Sequence, residues 1–330
     1  MQKILVTGGA GYIGSFMVRE LLSKGFEPVI LDNLSQGHKE SVKDFRLEVI
    51  DLVSQKDKLN ELFASEKFDG VIHMASFIQV SESYNDPAKY YLNNVYGFMN
   101  LLDSMKNHSV DKIILSSSAA VYGSPAKLPI EENDPKNPLN PYGETKYIME
   151  KMLEDYDTAY GIKFVGLRYF NAAGAGLDGS IGEDHKEESH LIPNIIKRTL
   201  DGKEVRIFGN DYNTQDGTCI RDYIHVLDLA ANHVLALKSL LDGAKSEFYN
   251  AGIGHGYSNK QVIEIVEKET GLKVKVKYEP RREGDPGTLY ASNEKIKKDL
   301  DWQPKYGLTE IVKSAYLWHK NHPQGYVNMK

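Results

Sequence analysis

Six short runs of consecutive apolar residues recur between residues 3 and 168: KILVTG (3–8), PVILD (28–32), RLEVID (46–51), GVIHMA (70–75), KIILSS (112–117) and KFVGLR (163–168). Runs of this length with little polar alternation are expected of strands covered on both faces, as in a parallel sheet. Between them the apolar residues return at three- and four-residue intervals, which predicts helices over about 12–24, 55–66, 88–107 and 141–160. Strand–helix alternation of this kind argues for an α/β fold with a doubly wound parallel sheet.

Beyond residue 168 the rhythm breaks. A Gly/Ala-rich segment, NAAGAGLDGS, leads into the acidic GEDHKEESH, and helical patterns follow near 191–201, 226–241, 258–270 and 307–320. Short strand-like pieces (VRIF, EFYN, KVKVKY) lie among them. The pattern predicts a Rossmann-type nucleotide-binding domain over 1–168 and a smaller mixed α/β substrate-binding region over 169–330. The chain is expected to return to the sheet near 226–250.

Composition narrows the partners. The chain has 330 residues and a net charge of −6 with no Lys/Arg block, which argues against nucleic acid. No apolar run approaches the roughly 18–20 residues of a membrane span, and the chain enters its first strand without a signal-peptide pattern. A lone Cys219 cannot form an internal disulfide, as expected in a reducing cytoplasm. Small-molecule ligands are the expected partners.

Candidate chemistry begins at TGGAGYIG (7–14), between the first strand and the first helix. In that context Gly8 permits a tight turn, Gly11 lets the backbone approach a pyrophosphate, and Gly14 lets the helix close on the strand. The phosphates then face the positive end of the helix dipole. Asp32 ends the second strand, where a carboxylate accepts bonds from adenosine ribose hydroxyls and repels a 2′-phosphate, favouring NAD over NADP. Asp51, ending the third strand, either reaches the adenine edge or caps a turn.

PYGETK places Tyr142 and Lys146 at i and i+4 on one helix face. A tyrosine is a poor base at neutral pH, and a nearby ammonium favours its phenolate. Ser116, Ser117 and Ser118 end the fifth strand at the carboxyl edge of the sheet. Of these, Ser118 is the candidate to hold a reacting oxygen, and the other two are expected to be structural.

Together TGGAGYIG, Asp32, SSSAAVYG and Y-x-x-x-K resemble the extended short-chain dehydrogenase/reductases. The longer strings LDNLSQGH, NPYGETK, LRYFNAAGA, IFGNDYNTQDGTCIRDYIHVLDLA and RREGD extend the resemblance over the whole chain to the UDP-glucose (UDP-galactose) 4-epimerase family. That resemblance implies reversible 4-epimerisation of a UDP-hexose through a transient 4-keto sugar, with tightly bound NAD. It makes Tyr142 the base and acid, Lys146 the residue that lowers the tyrosine pKa and binds nicotinamide ribose, and Ser118 the partner of the sugar 4-oxygen. NAD contacts are implied for Tyr12, Ile13, Asn33, Leu34, Ser35 and Gln36 beside Asp32. Leu52 beside Asp51, then Met74, Ala75, Ser76 and Ile78, and finally Asn93 and Phe170 complete that set.

On the UDP-sugar side the resemblance implies Asn171, His190, Leu191, Arg206, Ile207 and Phe208, the last near the uracil. Arg221 and Arg282 match phosphate-binding positions, Asp285 a uridine ribose contact, and Leu289 the wall beside the sugar 2-position. The family also implies a homodimer through the helices beginning near Tyr91 and Pro141. Phe98, Met105, Met149 and Met152 offer packing there, although burial against the chain's own sheet explains the same residues.

Three positions depart from common family residues: Ile78 replaces a lysine, His190 an asparagine, and Leu289 stands where relatives carry a bulky tyrosine or a small cysteine. The last leaves UDP-GlcNAc/UDP-GalNAc or UDP-pentoses as alternative substrates. Ala119-Ala120 cannot transfer the protons a nucleotide-sugar 4,6-dehydratase needs. A non-catalytic NAD sensor has no need of Tyr142, Lys146 and Ser118. The isolated His73, His225 and His319 lack metal-ligand spacing, and no metal is expected.

Overall fold

The computed structural model describes residues 1–282 and 286–328. All six predicted strands form, as β1 (Lys3–Thr7), β2 (Glu27–Asp32), β3 (Leu47–Val49), β4 (Gly70–His73), β5 (Lys112–Ser118) and β6 (Lys163–Tyr169). With the strand Glu247–Ala251 they make a seven-stranded sheet in the order Glu247–Ala251, β6, β5, β4, β1, β2, β3. β1 runs parallel to both β2 and β4, with Val6 level with Ile30 on one side and Ile72 on the other. Strand order reverses at β1 and β4, and ligands in doubly wound folds bind outside the carboxyl ends of strands at that point. TGGAGYIG starts there.

Both faces of the sheet are buried, which is why the strands read as continuous apolar runs. Leu5, Val29, Leu31, Val71, Ile113 and Leu115 join one core cluster, and the alternate residues Ile4, Val6, Ile30, Ile72 and Ile114 are equally inaccessible. Phe98, Met105 and Met149, offered above for subunit packing, belong to this core, with Met152 packed against it. The exposed apolar residues of the same region are Tyr91, Leu92, Tyr96 and Met99.

Local chemistry sets the helix that carries Tyr142. Asn140 caps it by accepting from the Gly143 N–H at 2.8 Å, and Pro141 supplies a pre-set first turn. It runs Pro141–Tyr160 and stops at Gly161 in the left-handed conformation, φ 74°. The predicted helix over 88–107 is instead broken: Pro87–Tyr90 passes through a π-helical segment, Tyr91–Tyr96, into Gly97–Asn107. Widened turns of this type recur at functional sites and are invisible to a 3.6-residue periodicity.

The chain folds into two compact units. The first comprises Met1–Ser124, Pro135–Arg168 and Ala230–Tyr249; the second comprises Pro125–Asp134, Tyr169–Leu229 and the chain from Asn250. In the second unit the helices Leu191–Leu200, Asn259–Thr270 and Leu308–Asn321 bury Ile192, Ile195, Ile196, Val262, Val266, Ile311 and Val312 in one cluster. VRIF forms the strand Val205–Phe208, parallel to Val276–Glu279. The pairs Asn171–Ala173 with Tyr223–His225, and Ile220–Arg221 with Thr288–Leu289, were not anticipated, because two or three residues are too few to show a period. Among the described residues no helix is long and apolar enough to cross a membrane.

Candidate active site

The glycine loop is built by contact as much as by flexibility. Gly8 has φ 73°, and a Cβ on it would lie 2.6 Å from the Ala75 backbone nitrogen. A Cβ on Gly14 would come within 2.2 Å of the Gly8 carbonyl oxygen. A Cβ on Gly11 would meet only the Gly8 carbonyl, at 3.3 Å, so this point of the loop is open. Gly11 also starts the Tyr12–Ser23 helix without any side-chain cap, which suits an anion at the helix N-terminus.

Asp32 is buried beside this loop, accepting from the Ala10 N–H at 3.0 Å and the Leu34 N–H at 2.8 Å. Burial pushes its pKa up, and the two backbone bonds oppose the rise. Each oxygen keeps a lone pair for a ribose hydroxyl. The residues present therefore fit a dinucleotide without a 2′-phosphate. Asp51 caps a turn, accepting from the Val53 and Ser54 N–H groups at 3.0 and 2.8 Å, and its other oxygen takes the Asn33 amide at 2.7 Å. Asp32, Asn33, Leu34 and Asp51 are thus tied together, while Ser35 follows through its N–H to the Asn33 side chain.

The segment after β4 is braced by Asn94, which the sequence reading passed over. Buried in the π-helical segment, it accepts from the Phe77 N–H at 2.9 Å and donates to the Phe77 carbonyl at 3.1 Å and to Thr145 Oγ1 at 3.1 Å. Asn93 donates to its side-chain oxygen at 2.9 Å. Met74, Ala75 and Ser76 are half-buried, and Ile78 is exposed. A buried Asn flanked by aromatic residues in a helical pattern was the signal available.

The three serines of β5 take three different partners. Ser116 Oγ lies 3.0 Å from His233 Nε2, Ser117 Oγ donates to Glu150 at 2.6 Å, and Ser118 hydrogen-bonds the Tyr142 hydroxyl. Ser118 also accepts from the Ala120 N–H at 3.1 Å. Lys146 is buried and donates to Ser76 Oγ at 2.9 Å and to the Ser116 carbonyl at 2.8 Å. Burial pushes the Tyr142 phenol up, and the Ser118 bond opposes the rise.

Burial also drives Lys146 from its ordinary 10.5 down to about 7, with Glu150 opposing the shift. Between those two values the unfolded chain binds a proton that the folded chain does not, so stability rises with pH across that window. Denaturation of nucleotide-free protein should show this as a difference from Lys146→Met. Relative to the variant, the wild type gains a few kcal/mol from pH 7 toward pH 10. A constant difference would mean that the amine is not desolvated.

Behind the serines lies an ion pair. Arg168 on β6 donates through Nε and Nη2 to the two oxygens of Glu150, each at 2.8 Å, and through Nη1 to the Tyr122 hydroxyl at 2.9 Å. Glu150 continues the i, i+4 series from Tyr142 and Lys146 by one more turn. The pair fastens residues on either side of Ser118.

In the second unit, Asn171 donates its N–H and its side-chain amide to the Asp222 carbonyl, at 3.1 and 3.0 Å. Neighbouring Phe170 is half-buried. Arg221 donates to the Ile220 and Pro286 carbonyls at 2.8 and 2.7 Å, and Leu289 stands level with it across a parallel pairing. Phe208 is half-buried with the Arg282 guanidinium 4.1 Å from its ring centre. Arg206 is exposed, whereas the Ile207 side chain is buried in the unit's core, leaving only its backbone for a ligand. His190 and Leu191, half-buried, open the Leu191–Leu200 helix. Asp285 lies outside the described residues.

The isolated histidines have structural partners: His73 bonds Thr7 at 2.7 Å and His225 bonds Ser314 at 3.2 Å. A grouping passed over in the sequence is Glu183, His185, Glu188 and His190, whose ligand atoms lie within 4.8 Å of one another. Its signal was the spacing Glu-x-His-x-x-Glu-x-His.

A glycine loop at the switch point of a parallel sheet, with a Ser–Tyr hydrogen bond and a buried lysine one helical turn on, defines a nucleotide-dependent enzyme of the epimerase/dehydratase type. Residues 4–252 match the NAD dependent epimerase/dehydratase family, and the chain belongs to it. It is 49% identical over 325 residues, 98% of this chain and 97% of the other, to a UDP-glucose 4-epimerase of Halalkalibacterium halodurans. The UDP-glucose 4-epimerase of Bifidobacterium longum in complex with NAD+ and UDP superposes with a TM-score of 0.93 at 38% identity, covering 98% of this chain and 100% of that one. The UDP-Glc/GlcNAc 4-epimerase of Campylobacter jejuni matches with a TM-score of 0.85 at 42% identity over 97% of this chain and 100% of that one.

Proposed function

We propose that the chain interconverts UDP-glucose and UDP-galactose by oxidation and re-reduction at C4 of the sugar. The observation that carries this is the Ser118–Tyr142 hydrogen bond beside a buried Lys146. The glycine loop and Asp32 would hold NAD, which when bound would supply the hydride acceptor for the oxidation and the hydride donor for the reduction. Tyr142 takes the proton from the 4-hydroxyl and later gives it back, Ser118 holds the 4-oxygen, and Lys146 supplies a donor to the nicotinamide ribose. Burial raises the phenol pKa, and the positive charge of an oxidised nicotinamide would oppose that rise by favouring the phenolate. Arg221 and Arg282 are assigned to the diphosphate and Phe208 to the uracil, guanidiniums being suited to phosphate geometry. Asn171, His190, Leu191, Arg206, Ile207 and Asp285 are the further assigned contacts.

In this reading residues 1–168 bind NAD and 169–330 the nucleotide sugar. The test is purified protein incubated without added NAD, separately with UDP-galactose, UDP-GalNAc and a UDP-pentose, followed by product chromatography. UDP-glucose formation from UDP-galactose is the expected result; its absence overturns the reading.

Leu289 is assigned to the wall at the sugar 2-position, where tyrosine would fill the space an acetamido group needs. The UDP-glucose pair is therefore the main substrate, with lower activity on UDP-GlcNAc/UDP-GalNAc. Discrimination by one side chain is worth about 10–200-fold per methylene-sized difference, so partial activity is expected. Leu289→Tyr should reduce the acetamido activity selectively and Leu289→Cys should raise it. An unchanged ratio of the two activities in Leu289→Tyr places the wall elsewhere.

A cytoplasmic homodimer completes the proposal, supported by the exposed Tyr91, Leu92, Tyr96 and Met99. Light scattering at micromolar concentration should give twice the chain mass, and a monomer mass refutes it.

A further inference from the structure

GEDHKEESH folds four potential ligands onto one point of the second unit. His185 Nδ1 lies 3.2 Å from Glu183 Oε1 and 3.7 Å from Glu188 Oε1, and His190 Nδ1 contacts the same Glu183 oxygen. Two imidazole nitrogens with two carboxylates are donors that zinc-class ions accept. Tetrahedral bonds of about 2.0–2.2 Å hold such donors roughly 3.3 Å apart; the two His185 separations are of that scale, and all four ligand atoms lie within 4.8 Å of one another. Both carboxylates are shielded, the Glu183 and Glu188 side chains being 3% and 8% exposed, and two buried charges this close demand compensation.

A second observation points to a missing partner. Glu188 Oε1 accepts from the His190 N–H at 2.9 Å, but the other oxygen of the same carboxylate, Oε2, is buried with no hydrogen-bond partner. Buried carboxylate oxygens are rarely left so. The ligands are also braced from outside the cluster. The Trp318 indole donates to the Glu183 carbonyl at 3.0 Å, and the Asn194 amide donates to the Glu188 carbonyl at 3.1 Å. Such support is what positions metal ligands before an ion arrives.

We propose that Glu183, His185, Glu188 and His190 form a binding site for one divalent zinc-class cation, with a structural role in ordering the start of the Leu191–Leu200 helix. The four side chains with neutral imidazoles carry two negative charges, which one such ion neutralises. The competing occupant is a pair of protons on the imidazoles, giving a purely internal ion-pair cluster.

The 330-residue protein is dialysed against chelator and titrated with zinc chloride by calorimetry, and with cobalt chloride by absorption. The expected result is one ion per chain at micromolar affinity or tighter, a raised melting temperature, and the intense visible bands of four-coordinate cobalt. Glu188→Gln should weaken binding by roughly tenfold or more, and His185→Ala with Glu188→Gln should abolish it. Circular dichroism and NAD content establish that the variants are folded; if they are not, the wild-type stoichiometry and cobalt spectrum decide. Absence of saturable binding to the wild type, or binding unmoved in folded variants, overturns the site. Either outcome leaves the assigned chemistry of Tyr142, Lys146 and Ser118 untouched, while a bound ion would take the His190 side chain from the UDP-sugar contacts.

Discussion

Tyr142→Phe should lower turnover by at least about 10²-fold while the bound NAD content stays at the wild-type level. The substitution deletes one hydroxyl and keeps the ring, so the burial that positions the side chain is preserved. What disappears is a hydroxyl, hydrogen-bonded to Ser118, that can exchange a proton with a sugar hydroxyl, and a positioned acid–base group is typically worth about 10²–10⁴. Turnover of UDP-galactose and NAD released from denatured protein are the two readouts. Near-normal turnover removes Tyr142 from the chemistry. A parallel loss of NAD shows instead that the phenol's main work is to hold the cofactor.

The largest effect on stability is expected from the Glu150–Arg168 pair. Both side chains are 3% exposed, and the contact is bidentate. Removing one member of such a pair leaves an uncompensated buried charge and costs about 3–5 kcal/mol, whereas replacing both with apolar residues costs far less. Glu150→Leu and Arg168→Met should each shift the urea midpoint sharply downward. The double variant should recover more than half of the loss, the non-additivity expected of residues in contact. Losses that simply add would show that the two charges are stabilised by other groups. Ser117 and Tyr122 bond to this pair, so the single variants should also lower kcat more than they raise KM.

The strands of the sheet were legible because each is a continuous apolar run, and the helix from Pro141 because its start and stop residues, Asn140, Pro141 and Gly161, are adjacent to it in the chain. The glycine loop was legible for the same reason: its turn, helix start and strand end lie within a few residues. The tyrosine–lysine pair needed only the helical repeat. By contrast, the π-helical segment at Tyr91–Tyr96 hid inside a regular-looking pattern, and with it Asn94, whose partners Phe77 and Thr145 are remote in sequence.

Phe98, Met105 and Met149 illustrate the limit most clearly. Their apolar character announces burial, and sequence alone cannot say whether the covering surface belongs to the same chain or to a second copy. They join the core of the sheet unit, and the exposed Tyr91, Leu92, Tyr96 and Met99 remain for any partner. Asp51 reads in the sequence as reaching the adenine edge or capping a turn; the bonds from Val53 and Ser54 show that it caps a turn, which is compatible with an adenine contact.

The sequence by itself determined the α/β class, the dinucleotide loop, and the residue types of the catalytic group, because each depends on periodicity or spacing over one or two elements. The sequence also singled out Ser118 among the three serines. Only the tertiary structure decided that Glu150 and Arg168 close a buried pair and that Glu183, His185, Glu188 and His190 converge. It also decided the electrostatics, raising Tyr142 and lowering Lys146 to about 7. Desolvation acts through space: a side chain's pKa answers to every group packed around it, and those groups come from strands and helices that the chain order keeps far apart.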